Sequence, residues 1–126
     1  NHLYIGFHYF QNEFSGFYKN DSWKWVLAFD KNDNIIGVIK YGTYGEGKNA
    51  HYGLNFIDAR YDCRGKKVAT RMIEFLSKNF PNEYIFILSD ESDMGRECHM
   101  GDTFKKFFKE NNPGVKVGFR EDFYRY

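Results

Sequence analysis

Three cations and a glycine occupy the consecutive positions Arg64-Gly65-Lys66-Lys67, directly ahead of an amphipathic segment. In that segment Val68, Met72, Leu76 and Phe80 recur every four positions, which predicts a helix. The first amides of a helix have no intrahelical acceptor, and this end of the helix dipole is positive. Cations placed there favour binding of a phosphate or pyrophosphate. A solvated, positively charged connector would have the same composition.

The segment ahead of this basic turn has the composition of a strand. It runs Leu54-Asn55-Phe56-Ile57-Asp58-Ala59, and it leads through the turn into a helix expected over about 65–79. The nearly continuous apolar run 84–88 then suits a buried strand, which a right-handed crossover would place parallel to the first. These residues predict a strand-helix-strand unit with the basic turn at its centre.

The motif Arg64-x-x-Lys67-x-Ala69 resembles the Gln/Arg-x-x-Gly-x-Gly/Ala signature of the GNAT superfamily of acyl-CoA-dependent N-acyltransferases, and residues 61–66 resemble the segment that leads into it. The resemblance implies that the turn binds the pyrophosphate of coenzyme A and that the preceding strand pairs with the pantetheine arm. Lys67 stands where the family most often has its first glycine, so it either bends outward or adds its ammonium to the anion site. The cofactor-binding residues implied are Ile57, Asp58, Ala59, Arg64, Gly65, Lys66, Lys67, Val68, Ala69 and Thr70.

Candidate catalytic residues lie on the strand expected over about 49–59. Alternation along a strand predicts one face with the residues His51, Gly53, Asn55, Ile57 and Ala59. The resemblance implies that Gly53 and Asn55 face the reaction centre, where Asn55 can orient a water. Histidine side chains can exchange a proton near neutral pH, which makes His51 a candidate base, although a surface histidine near a strand end is equally compatible.

The general acid is the second departure from the family pattern. Residues 107–112 resemble its aromatic-Tyr-Glu-Lys-x-Gly segment, and Phe108 then stands where a tyrosine commonly reprotonates the departing thiolate. Phenylalanine cannot donate a proton. Ser89, a nearby tyrosine or water would take that role, and a thiol is itself a fair leaving group.

Metal and thiol chemistry have little support. Cys98-His99 has no second Cys/His pair at ligand spacing, so we expect no metal site. Cys63 and Cys98 are too few for a disulfide framework, which favours a reduced setting. There is no apolar run long enough for a membrane span and no signal-peptide pattern, so we expect a cytoplasmic protein without membrane contact. The chain opens at Asn1 without a methionine, and we treat its N-terminus as open to extension.

Length and composition fit one ordered domain over residues 1–126. With 18 Lys plus Arg against 17 Asp plus Glu, there is no global basic field for nonspecific nucleic-acid binding. We expect one or two helices over Leu3 to Lys19 from aromatic residues spaced by three and four. The strands expected are 23–30, 35–44, 49–59 and 84–88, with a last helix capped by Asp102 or Thr103 and ending near Asn111, then a closing strand over 115–119 or a hairpin that also uses 123–126.

These expectations give an α/β fold with a mixed (α+β) sheet, similar to the GNAT acyl-CoA N-acyltransferase fold: an antiparallel meander, a βαβ crossover, a terminal helix and a closing strand. The implied activity is transfer of an acetyl group from acetyl-CoA, as co-substrate, to a primary amine by direct attack in a ternary complex. The acceptor is a small molecule, a peptide or an aminoacyl-tRNA, and a homodimer stays open. The alternatives are a non-catalytic acyl-CoA-binding module of the same fold and a single-stranded nucleic-acid-binding domain that stacks bases on its aromatic residues.

Overall fold

The computed structural model describes residues 6–13, 22–45, 48, 50–81, 85–88 and 100–123. For 7–13, 22 and 121 this description is confined to the main chain. The strands are β1 (Gly6–Glu13), β2 (Ser22–Phe29), β3 (Ile35–Tyr44), β4 (His51–Ala59), β5 (Ile85–Leu88) and β6 (Lys116–Phe119). The helices are α1 (Val68–Asn79), α2 (Met100–Asn111) and the short α3 (Arg120–Phe123), with a 3-10 turn at Tyr61–Cys63.

The six strands form one mixed sheet in the order β1-β2-β3-β4-β5-β6. Strands β1 to β4 pair antiparallel, whereas β5 is parallel to both β4 and β6. The predicted meander, the βαβ crossover through α1 and the closing strand are therefore confirmed. The fold is of the mixed α/β class, and it brings the end of β4, the basic turn and the start of α1 together.

The N-terminal segment corrects the prediction of helices over Leu3 to Lys19. Gly6–Glu13 is a strand, and all eight of its residues pair with β2, from Gly6 opposite Phe29 to Glu13 opposite Ser22. Aromatic residues favour strands, and the exposed edge of β2 offers a full ladder of backbone hydrogen bonds. Spacings of three and four therefore did not distinguish a helix from a strand in a segment with so many aromatic residues. The remainder of the predicted helical segment lies outside the described residues.

Helices α1 and α2 pack against each other and against one face of the sheet, and the core lies between them and the strands. The apolar stripe of α1 supplies its buried residues Val68, Met72, Ile73 and Leu76. Gly37 of β3 lies directly beneath this helix, where an added Cβ would come within 2.8 Å of both Val68 Cγ1 and Met72 Cε. The helix can approach the sheet this closely because β3 presents no side chain there.

Four phenylalanines form the centre of the core between the two helices and β5. Phe86 stacks on Phe104 and on Phe108 at centroid distances of 5.7 and 5.8 Å, and Phe80 meets Phe108 edge-on at 5.5 Å. Phe104 and Phe108 lie one turn apart on α2, which is why their spacing of four places both on the same buried face. Aromatic packing of this kind stabilises beyond the area that it buries.

A polar link joins the C-terminal ends of the two long helices. Asn112 Nδ2 donates to the carbonyl oxygens of Ser77 and Phe80 at 3.3 and 2.8 Å, and Asn111 Nδ2 donates to Ser77 Oγ at 2.9 Å. These buried contacts satisfy carbonyls at the end of α1 that have no intrahelical donor. They join the end of α2 to the end of α1.

Two details of the C-terminal third differ from the sequence expectations. Helix α2 begins at Met100, so Asp102 and Thr103 lie inside its first turn and do not cap it. Phe123 belongs to the short helix α3, which excludes it from a closing hairpin. Asp122 explains this helix in part, because its Oδ2 accepts the Phe119 amide at 2.8 Å and turns the chain as β6 ends.

Candidate functional site

A groove of about 630 Å³ lies where β4 ends and α1 begins. Nine of the ten residues proposed for cofactor binding line it; Lys66 is the exception. The sequence reasoning missed two lining residues, the buried Cys63 and Met100 from the start of α2. No local pattern ties Met100 to the basic turn, because only the packing of α2 on α1 brings it there.

The N-terminus of α1 opens into this groove without a cap. Lys67 is the N-cap residue, its side chain makes no capping hydrogen bond, and the first turn contains no acidic residue. The first helical bond runs from the Arg71 amide to the Lys67 carbonyl at 3.0 Å. Within the described part of the chain, the amides of Val68, Ala69 and Thr70 have no hydrogen-bond acceptor. These donors and the helix dipole favour an anion at this end of the groove.

The backbone of the basic turn is left-handed at two positions. Gly65 has φ of 82°, and Lys67 has φ of 62° and ψ of 26°. Glycine adopts this region freely, whereas a residue with a Cβ pays about 1–2 kcal/mol for it. The position at which the GNAT signature has glycine is thus one where glycine would be the least strained residue. Lys67 instead keeps a side chain there, and that side chain lines the groove.

Arg64 is held against the end of β4. Its Nη2 donates to Asp58 Oδ1 at 3.1 Å, and its Nε donates to the Ala59 carbonyl at 3.3 Å. The guanidinium also lies 5.4 Å from the ring centroid of Tyr61. Asp58 Oδ1 accepts a second bond, from the Ala59 amide at 2.9 Å. One carboxylate oxygen therefore binds the strand end and the basic turn together.

A second ion pair stands beside the groove without lining it. Arg60 Nε donates to Asp62 Oδ1 at 2.6 Å. This hydrogen bond raises the pKa of Arg60 and lowers that of Asp62. Both side chains are exposed, so the pair contributes little to stability. Since Arg60 is paired and Lys66 lies off the groove, the cations that line the groove are Arg64 and Lys67.

Strands β4 and β5 separate soon after they meet. They pair at Tyr52 with Phe86 and at Gly53 with Ile87, and the described residues give β4 no further partner on that side. The stretch from Leu54 to Ala59 therefore presents a strand edge beside the groove. Such an edge offers amides and carbonyls that an extended ligand can pair with.

A bulge in β4 corrects the predicted face. Leu54 pairs with Tyr41 and Phe56 with Lys40, which leaves Asn55 without an opposite residue. One extra residue reverses the alternation. Ile57 and Ala59 therefore pack against the core on the helix side, as Leu54 does, and the expectation that they share a face with His51 and Gly53 is wrong.

The proposed catalytic residues are not brought together. His51 lies at the start of β4 opposite Tyr44, whose ring it stacks on at 5.9 Å, and eight residues of extended strand, about 26 Å, separate it from Ala59. Asn55 is exposed at the bulge, and neither residue lines the groove. Ser89 lies outside the described residues. Phe108 is 1% exposed in the aromatic core, so its position packs the fold.

The sheet face opposite the helices has an aromatic group of its own. Lys40 Nζ lies 4.3 Å from the ring centroid of Trp23, 5.0 Å from that of Trp25 and 5.9 Å from that of Phe56. Trp25 and Phe56 also meet edge-on at 6.2 Å. The period-two spacing of Trp23 and Trp25 could have revealed this face. The lysine and the rings thus pack against one another on this face of the sheet.

Two negative findings hold for the described ranges. They contain no group of three or more His, Cys, Asp or Glu residues arranged to hold a metal ion. None of their helices combines the length and the apolar character needed to cross a membrane.

Neither a model of a known protein family nor a curated protein matches the chain. The function of the groove is therefore inferred from its own residues and from the resemblance of the basic turn.

Proposed function

We propose that this protein is an N-acetyltransferase that moves an acetyl group from acetyl-CoA to a primary amine. The observation that carries the proposal is the groove at the start of α1, which collects nine of the ten residues assigned to the cofactor from the motif. Its volume, about 630 Å³, lies within the usual range for small-molecule sites.

The chemistry of the groove fits the parts of coenzyme A in order. The uncapped amides of α1 with Lys67 and Arg64 suit a pyrophosphate. Apolar side chains of Ile57, Val68 and Met100 suit the pantetheine chain, whose amides can pair with the open edge of β4. An acyl-CoA ligand uses all three features, whereas a free nucleotide would leave the strand edge unused.

The reaction would be direct attack of a neutral amine on the thioester carbonyl, without an acyl-enzyme intermediate. The amide of Ala59 donates to Asp58. We therefore assign polarisation of that carbonyl to a backbone amide of β4 nearer the bulge at Asn55, on the side towards β5. The amine would attack from that gap and the thiolate would leave along the groove.

A non-catalytic acyl-CoA-binding module is the second candidate, and one observation favours it. Among the described residues, those that line the groove include no histidine, glutamate or tyrosine, and Phe108 packs in the core. Such a groove can hold the ligand without a dedicated base or acid. Binding alone would not separate the two functions, so turnover has to be measured.

The test is isothermal titration with acetyl-CoA, CoA and ATP, followed by an acceptor screen that detects released thiol. We expect both CoA species to bind and ATP to bind at least tenfold more weakly. Thiol release that depends on an added amine would favour the transferase over the binding module. Equal affinity for ATP and CoA, or no binding of either, would refute the proposed site.

Paired variants locate the binding. Arg64→Ala should weaken CoA binding about tenfold, because it removes a groove-lining cation that can bind an oxyanion with two parallel bonds. Lys66→Ala removes the same charge from a residue outside the groove and should change affinity less than threefold. Equal losses in the two variants would mean that general charge, and not the groove, attracts the ligand.

A further inference from the structure

We infer that Asp58 regulates the proposed cofactor site by occupying its oxyanion donors when no ligand is bound. This inference rests on the proposed function, and it names the chemical group that competes for the site. Asp58 and Arg64 both line the groove, and their side chains are 63% and 59% exposed. The pair therefore stands where an incoming ligand would reach it.

The contacts of Asp58 show which kind of acceptor these hydrogen-bond donors bind. A single carboxylate oxygen takes one bond from the Arg64 guanidinium at 3.1 Å and one from the Ala59 amide at 2.9 Å. A guanidinium and a backbone amide converging on one oxygen are the donors that also bind a phosphate oxygen. The Asp58 carboxylate thus occupies the hydrogen-bond donors that a phosphate of the ligand would use.

Electrostatics make the contact inhibitory. A carboxylate lining an anion site repels the ligand and neutralises Arg64, which is one of the two groove cations in the described chain. The ion pair is exposed, and a single bond of 3.1 Å joins the two charged groups, so the pair is weak. A phosphate with several oxygens can therefore displace Asp58 from Arg64. On displacement, Arg64 and the Ala59 amide would both turn to the ligand, and Asp58 would face solvent.

Asp58→Asn tests this directly, because the amide oxygen can still accept both hydrogen bonds while the negative charge is gone. Coulomb repulsion over roughly 7 Å at high effective dielectric, acting on a doubly charged diphosphate, corresponds to about a three- to tenfold gain in affinity. We expect that gain for CoA and for inorganic pyrophosphate in titration calorimetry. Asp58→Ala, which also removes the acceptors, serves as the second variant should the first fold poorly.

Asp62→Asn is the matched control. It removes a carboxylate from the adjoining 3-10 turn, but Asp62 pairs with Arg60 and does not line the groove, so affinity should change less than twofold. The gain from Asp58→Asn should also shrink when Arg64→Ala is present, because the part that comes from freeing Arg64 is then lost and only the direct repulsion of the ligand remains.

Three results would overturn the inference: unchanged or weaker binding by Asp58→Asn, an equal gain from Asp62→Asn, or a gain of undiminished size in the Arg64→Ala background. Pyrophosphate separates this inference from the proposed function. If pyrophosphate binds more tightly to Asp58→Asn while CoA binds neither protein, the competition by Asp58 stands and the acyl-CoA assignment fails. If neither ligand binds to either protein, both fail.

Discussion

Replacing Lys67 with glycine should stabilise the protein and weaken its anion site at the same time. Lys67 is held at φ of 62° at the start of α1, a conformation that costs a residue with a Cβ about 1–2 kcal/mol. Glycine avoids this cost, but it loses more conformational freedom on folding, which lowers the free energy of unfolding by about 0.5–1 kcal/mol. The expected net gain in the free energy of unfolding is about 0.5–1 kcal/mol.

The neighbouring lysine provides the control. Lys66 is not among the described residues with positive φ, so Lys66→Gly adds only chain flexibility and should lower the free energy of unfolding by about 0.5–1 kcal/mol. Both variants lose one positive charge from the same turn. Any difference between the two variants in the free energy of unfolding therefore reports backbone conformation and not charge.

Urea denaturation of the two variants measures this contrast, and thermal unfolding should show it as melting temperatures that move about 2–5 °C in opposite directions. Titration with CoA on the same samples should show a several-fold loss for Lys67→Gly and little change for Lys66→Gly, since only Lys67 lines the groove. If Lys67→Gly destabilises as much as Lys66→Gly, the left-handed turn, and with it the geometry of the proposed anion site, is wrong.

Two further predictions concern the core and the β2–β3 turn. Phe108→Tyr should lower the free energy of unfolding by about 1–3 kcal/mol, because a hydroxyl would enter the aromatic core, and it should not raise thiol release; a several-fold rise in turnover would show that position 108 reaches the reaction centre. Asp30 accepts the amides of Asn34 and Asn32, chiefly Asn34, which lowers its pKa below 3.8. Ionised Asp30 therefore stabilises the fold at neutral pH, and this contribution is lost as the pH falls through its folded pKa. Asp30→Asn should thus be less stable than the parent protein at pH 7, with a gap that narrows below about pH 4; a gap independent of pH in denaturation curves would contradict this.

Several strands and helices could be predicted because each has a residue pattern within its own segment of the chain. The strands β2 and β3 with their polar turn, and the helix α1 with its apolar stripe, follow from period-two and period-four patterns that the core then uses. The strand at Gly6–Glu13 could not be separated from a helix, because its aromatic residues satisfy both periods and its pairing partners lie 9 to 23 residues away in the chain.

The geometry of the site depended on features with weaker sequence signals. The bulge at Asn55 arises from pairing with β3, which no pattern within β4 reveals, and it reverses the faces of Ile57 and Ala59. The contact between Asp58 and Arg64 depends on how the turn folds back on the strand end. Motif reasoning found the residues that line the groove, but it did not find which of their charges are already paired.

The most direct test of the central claim is to follow the backbone amide signals of the isotopically labelled protein by NMR during titration with CoA. If CoA binds in the groove, we expect the largest shifts at Lys67, Val68, Ala69 and Thr70, with smaller ones along β4 from Leu54 to Ala59. We expect little change along β6. Shifts confined to the aromatic face around Lys40 and Trp25, or no shifts at all, would contradict the assignment of the groove at the start of α1 as an acyl-CoA site.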